Sequence, residues 1–273
     1  MSLGGLGQRG RGMLHPGFFV AIGLVIVAVL APLLTPYAPD AIDLAGRRAA
    51  PSFAHWFGTD DLGRDLLSRV LYGARVSLAI GILAAALTVA LGAGIGMVAG
   101  FTGRWIDALL MRVADAILAV PRLPLLMIAS VILRPTVPLL ILLVAAVSWM
   151  ETARIVRAEV RSLVTRGFVE AAHAMGARPL SSLWRHIMPN VVPTLVVATT
   201  LAVGRSILLE SALSFFGVGV QPPTASWGNM LYQAQAAMAT EPWLALFPGA
   251  AILISVLTVN ALGERLNSAR VSS

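Results

Sequence analysis

Between Val76 and Ala99 the chain carries no ionisable side chain at all, and it is built almost entirely from Ala, Gly, Leu, Ile and Val. A run of that length and apolarity matches the roughly 20 residues that a helix needs to cross the hydrocarbon core of a bilayer. In lipid every backbone N–H and C=O must be satisfied within the segment, so the run has to be helical. Five further runs repeat the pattern: Gly17–Leu34, about Ile106–Leu133, Val137–Met150 continuing as helix toward Val156, Val191–Phe216 and Trp243–Leu262. The chain as a whole is 58% hydrophobic and 12% charged, about half the charged fraction of a soluble domain. Too few ionic groups remain to solvate a globular surface. The expected fold class is therefore all-α, a polytopic helical membrane protein with six transmembrane helices.

All 20 basic residues are Arg, and the formal net charge is +7. Such a balance brings nucleic acid to mind. The arginines, however, are scattered between apolar runs and form no stripe, so no nucleic-acid partner is expected and membrane topology accounts for them better. With six spans both termini lie on one side. Arg9, Arg11, Arg104, the run from Arg154 to Arg185, Arg265 and Arg270 then share that side, against Arg47, Arg48, Arg64, Arg69, Arg75 and Arg134 opposite. Positive residues favour the cytoplasm, so both termini are expected inside a bacterial inner membrane. The first apolar run is longer than the core of a signal peptide and has no clean small-residue cleavage site after it, so it is read as a retained anchor. The organisation expected is a tail, anchor and external segment over 1–72, a five-helix core over 73–265 and a tail over 266–273.

Several chemistries are not expected. Cysteine is absent, which leaves no thiolate or Cys-based metal site. His55 stands alone, and His173 and His186 are thirteen residues apart, a poor arrangement for a metal. Gly92-Ala93-Gly94-Ile95-Gly96 lacks the Lys-Ser/Thr ending of a phosphate loop and lies inside a membrane run, where small residues serve helix packing. No hydrolytic motif, nucleotide site or cofactor is expected.

The longest polar stretch on the inside, 151–190, carries the functional signal. Phe168–Met175 is expected to form a short helix ended by Gly176, the residue that best tolerates a left-handed C-terminal conformation. Pro179 suits the first turn of a second short helix, and Pro189 is expected to end it. Glu170-Ala171-Ala172, then Gly176, then Ile187-Met188-Pro189, at this spacing and between the fourth and fifth spans, resembles the EAA loop of the membrane subunits of ATP-binding-cassette importers (159–190 here). His55-Trp56-Phe57-Gly58-Thr59-Asp60-Asp61-Leu62-Gly63-Arg64-Asp65 and Leu213-Ser214-Phe215-Phe216-Gly217-Val218-Gly219-Val220-Gln221-Pro222-Pro223 are similar to segments of the dipeptide/oligopeptide/nickel permeases. The long segment after the first span resembles the C-type subunit. The departures are small: Phe168 for Tyr, Ser211 for Ala and Phe216 for Leu.

That resemblance implies the type I importer permease fold and half of a pore completed by a second homologous permease subunit. It implies two ATP-hydrolysing subunits docked on the cytoplasmic side and an extracytoplasmic solute-binding protein. ATP hydrolysis would then reside in the partners, not in this chain. Glu170 would pair with a polar or basic group in the partner's cleft, Ala171 and Ala172 would permit close approach, and Gly176 would set the turn. The solute stays open among peptides, nickel, opines and sugars.

Within the spans, Arg205 is too costly to face lipid and should line or gate the solute path, with Glu210 as a second candidate path residue. The alternative is a structural ion pair, with Glu210 or with a group from another helix or subunit. Asp107, Arg112 and Asp115 should snorkel or pair near the cytoplasmic face. The rival class, a self-sufficient secondary transporter or channel, would need ion-coupling carboxylates, for which Asp107, Asp115 and Glu210 are the candidates.

Overall fold

The computed structural model describes residues 16–134 and 136–271. Arg9 and Arg11, on which part of the orientation argument rests, lie outside them. Among the described residues the chain is all helical, and its strand-like pairing is limited to one isolated bridge, Thr59 with Asp65. The principal helices are α1 (Pro16–Leu34), α2 (Leu66–Thr102), α3 (Arg104–Leu118), α4 (Arg122–Leu133), α5 (Val137–Ala146) and α6 (Trp149–Val164). They are followed by α7 (Gly167–Ala174), α8 (Pro179–Ser182), α9 (Met188–Phe215), α10 (Trp227–Ala234) and α11 (Trp243–Val271).

Four helices are long and apolar enough to cross a membrane unbroken, and two bent pairs raise the number to six if each pair is one span. The third expected span is one of those pairs. It is not a continuous helix, because α3 and α4 meet at 82°. Pro121 disfavours helical backbone at the residue before it, so α3 stops at Leu118 and a new helix starts at Arg122. The fourth is also broken, by 45° between α5 and α6. There the hydrogen bonding tightens, with the Ser148 N–H donating to Ala145 O at 3.2 Å.

The second span begins ten residues earlier than its apolar run. Asp65 caps α2 by accepting from the Ser68 N–H at 2.8 Å, and the helix continues for 37 residues, about 55 Å at 1.5 Å per residue. It passes straight through the boundary expected at residue 72. Pro189 does not end a helix either. A π-turn spans Leu183–Ile187, and the Met188 N–H reaches back to Leu183 O. This extra residue in the turn lets Pro189, which has no N–H to offer, sit in the first turn of α9. The expected tail from 266 is helical through Val271 as part of α11.

α2 is the post around which α1, α3, α5, α6, α9, α10 and α11 gather. Its face toward α6 is a groove of glycines one turn apart. A Cβ on Gly92 would fall 2.6 Å from Trp149 O, on Gly96 2.5 Å from Ala153 O, and on Gly100 2.9 Å from Arg157 O. Gly94, on another face, would meet nothing within 4 Å. Backbone thus lies on backbone along most of α6. In lipid, where apolar surface gains nothing by leaving the solvent, close packing of this kind is what holds helices together. Gly96→Leu should therefore cost about 1–3 kcal/mol through overpacking and sharply lower the thermal midpoint of the detergent-solubilised chain. Gly94→Ala should leave that midpoint unchanged or raise it slightly. A fluorescence-detected size-exclusion melt of both variants checks the contrast.

Candidate functional site

α7 hangs from the end of α6 by a two-residue turn. Val169 is fully buried and Ala172 nearly so, while Phe168, Glu170, Ala171 and Met175 face outward. Val169 joins Val156, Val160 and Leu163 of α6, Ala93 and Met97 of α2, Leu183 and Ile187 of the π-turn and Val191 of α9 in one apolar cluster. The helix ends as its sequence requires. Gly176 takes φ 86°, and the Ala177 N–H donates to Ala172 O at 3.0 Å, the 6→1 bond of a glycine C-cap. A Cβ on Gly176 would meet nothing, so glycine is needed there for its backbone and not for space. Of the expected coupling residues, Glu170, Ala171, Gly176 and Pro189 are exposed. Ala172 and Ile187 are buried, and Ile187 shares the apolar cluster that joins Val169 to α6 and α9.

Along its length α6 carries a row of charges, each spoken for. Asp107 of α3 accepts from Arg157 Nη2 at 2.6 Å and from Arg161 Nη1 at 3.3 Å, and Asp115 of α3 pairs with Arg154. Glu159 accepts from Thr194 Oγ1 of α9 at 2.6 Å. At the head of α6, Glu151 holds two cations from two other helices: Arg122 of α4 at 2.6 Å and Arg205 of α9. The partner of Arg205 is thus Glu151, from another helix of the same chain. Arg122, Glu151 and Arg205 line a cleft with Thr88, Ser148, Thr152 and Ser206, walled on one side by Ile155, Ala198, Leu201 and Ala202.

Glu210 is not part of that cleft. It is fully buried and accepts from Ser214 Oγ at 2.8 Å and Ser77 Oγ at 3.2 Å. Ser77 Oγ in turn accepts from the Trp227 N–H at 3.2 Å, and Ser214 Oγ from the Val220 N–H at 3.0 Å. The carboxyl group therefore knots α2, α9 and the start of α10 together. At the far end of α2, Asp60 gathers Arg64 at 2.7 Å and Arg69 at 3.4 Å, and His55 Nδ1 lies 2.9 Å from Asp65. The arginines and aspartates of the 36–75 segment thus largely neutralise one another.

Residues 92–271 match the family described as the inner-membrane component of binding-protein-dependent transport systems. The chain belongs to that family. It is 40% identical over 255 residues to a putative peptide permease protein of Brucella suis biovar 1 (strain 1330), covering 93% of this chain and 84% of the relative. It is 38% identical over 253 residues to a dipeptide transport system permease protein of Alkalihalophilus pseudofirmus, covering 93% and 83%. A glutathione transport system permease protein of Escherichia coli O6:K15:H31 is 40% identical over 247 residues, covering 90% and 82%. The chain is a multi-pass inner-membrane protein and the transmembrane subunit of an ATP-binding-cassette importer.

In this permease two charged residues escaped the sequence reading. Glu151 stood at the head of the polar stretch and read as its first cytoplasmic residue. Arg122 sits in an apolar run whose break at Pro121 hydropathy does not show. One signal bears on Glu151: an unpaired Arg205 in a membrane run demands an acid, and Glu151 lies where the fourth apolar run continues as helix. The serines around Glu210 carried no signal at all. Glu210→Ala should leave Ser77 and Ser214 without their acceptor, at a cost of about 1–3 kcal/mol. Glu210→Gln, which keeps an acceptor oxygen, should cost clearly less. The thermal midpoints of the two purified variants check the difference.

Proposed function

We propose that this permease forms half of the membrane pathway of a peptide importer, completed by a second homologous permease, and that α7 is the helix through which two ATP-hydrolysing subunits drive it. A solute-binding protein would deliver peptide at the opposite face, formed by the 36–65 segment, α10 and the 217–226 loop. Both termini would then be cytoplasmic, on the α7 side. The relatives named for peptide, dipeptide and glutathione transport support peptides as the solute class.

The observation that carries the reading is the way α7 is mounted. Its inner face is anchored through Val169 in the cluster shared by α2, α6 and α9, with Ala172 buried beside it, while Glu170 and Ala171 are presented outward. A push on the exposed face cannot be absorbed by α7 sliding alone, because buried side chains tie it to α6. α6 then runs from α7 to Glu151 and the cleft at Arg205. Closure of the ATP-hydrolysing subunits would bring two such helices together and open the pathway away from them. Arg205 stands at the cleft as the path residue, whereas Glu210 serves packing. The secondary-transporter alternative needs a carboxylate free to bind an ion, and Asp107, Asp115 and Glu210 are each engaged by arginines or serines.

Glu170→Lys reverses the charge on the exposed face of α7 and touches nothing in the core. Uptake by the intact importer should fall to background while the variant stays in the membrane at its normal level. Normal uptake by a well-expressed variant would refute the docking role. Mass spectrometry of the ligand that co-purifies with the binding protein should return peptides.

A further inference from the structure

The head of α6 holds one acid and two bases. Glu151 gives one oxygen to Arg122 and the other to Arg205, so the cluster carries a surplus positive charge. No other described residue of the cleft is ionisable. The remaining charges of α6 lie further along it and are occupied: Arg154 by Asp115, Arg157 by Asp107, Glu159 by Thr194. Arg205 spends one nitrogen on Glu151 and leaves 55% of its side chain open. A guanidinium carries five N–H donors in a flat fork whose geometry matches a carboxylate.

Two hydroxyl groups point the same way. Thr88 is 2% exposed, and its Oγ1, like Ser148 Oγ, is buried without a hydrogen-bond partner among the described residues. Both residues line the cleft that Arg122, Glu151 and Arg205 share. Orphaned hydroxyls are costly in an apolar surround, and both of these belong to residues of the cleft lining.

We propose that this cleft is a way-station for the carboxylate group of the travelling solute, which takes the place of Glu151 on Arg205 and is steadied by Thr88 and Ser148. Glu151 keeps Arg122, so the occupied cluster has two acids and two bases and is neutral. The empty cluster attracts an anion; on release Glu151 returns to Arg205 and closes the fork behind it. Since the role rests on the peptide-importer reading, the group in question is a peptide's C-terminal carboxylate.

The experiment is uptake by the intact importer in proteoliposomes, with the partner permease, the ATP-hydrolysing subunits and the binding protein present. The probes are trialanine and trialanine amide, each at a level that saturates the binding protein. The wild type should carry the acid about ten-fold or more faster than the amide, the scale of one lost charge-assisted hydrogen bond. Arg205→Gln should bring the two rates within about two-fold of each other, and Arg205→Lys, which keeps the charge but not the fork, should fall between. Should Arg205→Gln carry neither peptide, the ratio is read in Arg205→Lys, where an unchanged ratio overturns the proposal. An unchanged ratio in Arg205→Gln, or equal rates in the wild type, overturns it as well; the former would mean that selection resides in the binding protein and that Arg205 answers to another group, such as a carboxylate of the partner permease. Uptake of neither peptide by the wild type would instead fail the peptide reading itself, and this proposal with it.

Discussion

Everything in this permease hangs on the contact of α6 with the glycine groove of α2. At Gly92, Gly96 and Gly100 the backbones approach so closely that a single added methyl would collide with a carbonyl oxygen. Lipid supplies no hydrophobic force to press two helices together, so dispersion over a closely fitted seam has to do it. The seam fixes both the height and the rotation of α6, and α6 bears Glu151, Arg154, Arg157, Glu159 and Arg161. It also carries α7 at its end, across a two-residue turn and with Val169 packed on Val156, Val160 and Leu163. The lever proposed for α7 needs a stiff arm and a bearing, and the pair α2–α6 is the candidate for both.

The charges on α6 show how a membrane chain keeps costly groups and puts them to use. Arg154, Arg157 and Arg161 hold α3 through two aspartates, Glu159 holds α9 through Thr194, and Glu151 holds α4 and α9 at once. Each of these helices is thus tied to α6 by at least one polar bond besides its packing. The two broken spans have a consistent place in this scheme. Their breaks, at 119–121 and 147–148, put the starts of α4 and α6 side by side, and those starts carry Arg122 and Glu151. An unbroken third span would have had no reason to bring Arg122 to Glu151.

The four unbroken spans were legible as apolar runs because length and hydropathy alone decide them. So was α7, since Gly176 and Pro179 punctuate the chain in ways few other residues permit. The bends were not legible: a window of hydropathy averages across Pro121 and has nothing to register at Val147. Pro189 misled because the rule against proline within helices presumes α geometry, and the π-turn at Leu183–Ile187 removes the conflict. The glycine spacing 92, 96, 100 was visible, but not that α6 would fill it. Arg205 announced that it needed a partner without saying which, because pairing between helices distant in sequence depends on tertiary packing. Glu210 is a candidate path residue by sequence because an acid in a span is costly, whereas the hydroxyls of Ser77 and Ser214 meet that cost through packing the sequence does not display.

The claim beneath all of this is that α2 and α6 move as one body. The chain has no native cysteine, so spin labels can be placed at Val98 on α2 and Ala158 on α6, both on outward faces. The decisive measurement is the distance distribution between them by double electron–electron resonance in the assembled importer, with ATP absent and with ATP trapped. A rigid seam gives one peak that stays where it is in both states. A peak that shifts or splits on ATP trapping would mean that α6 slides in the groove, and the lever would have no bearing.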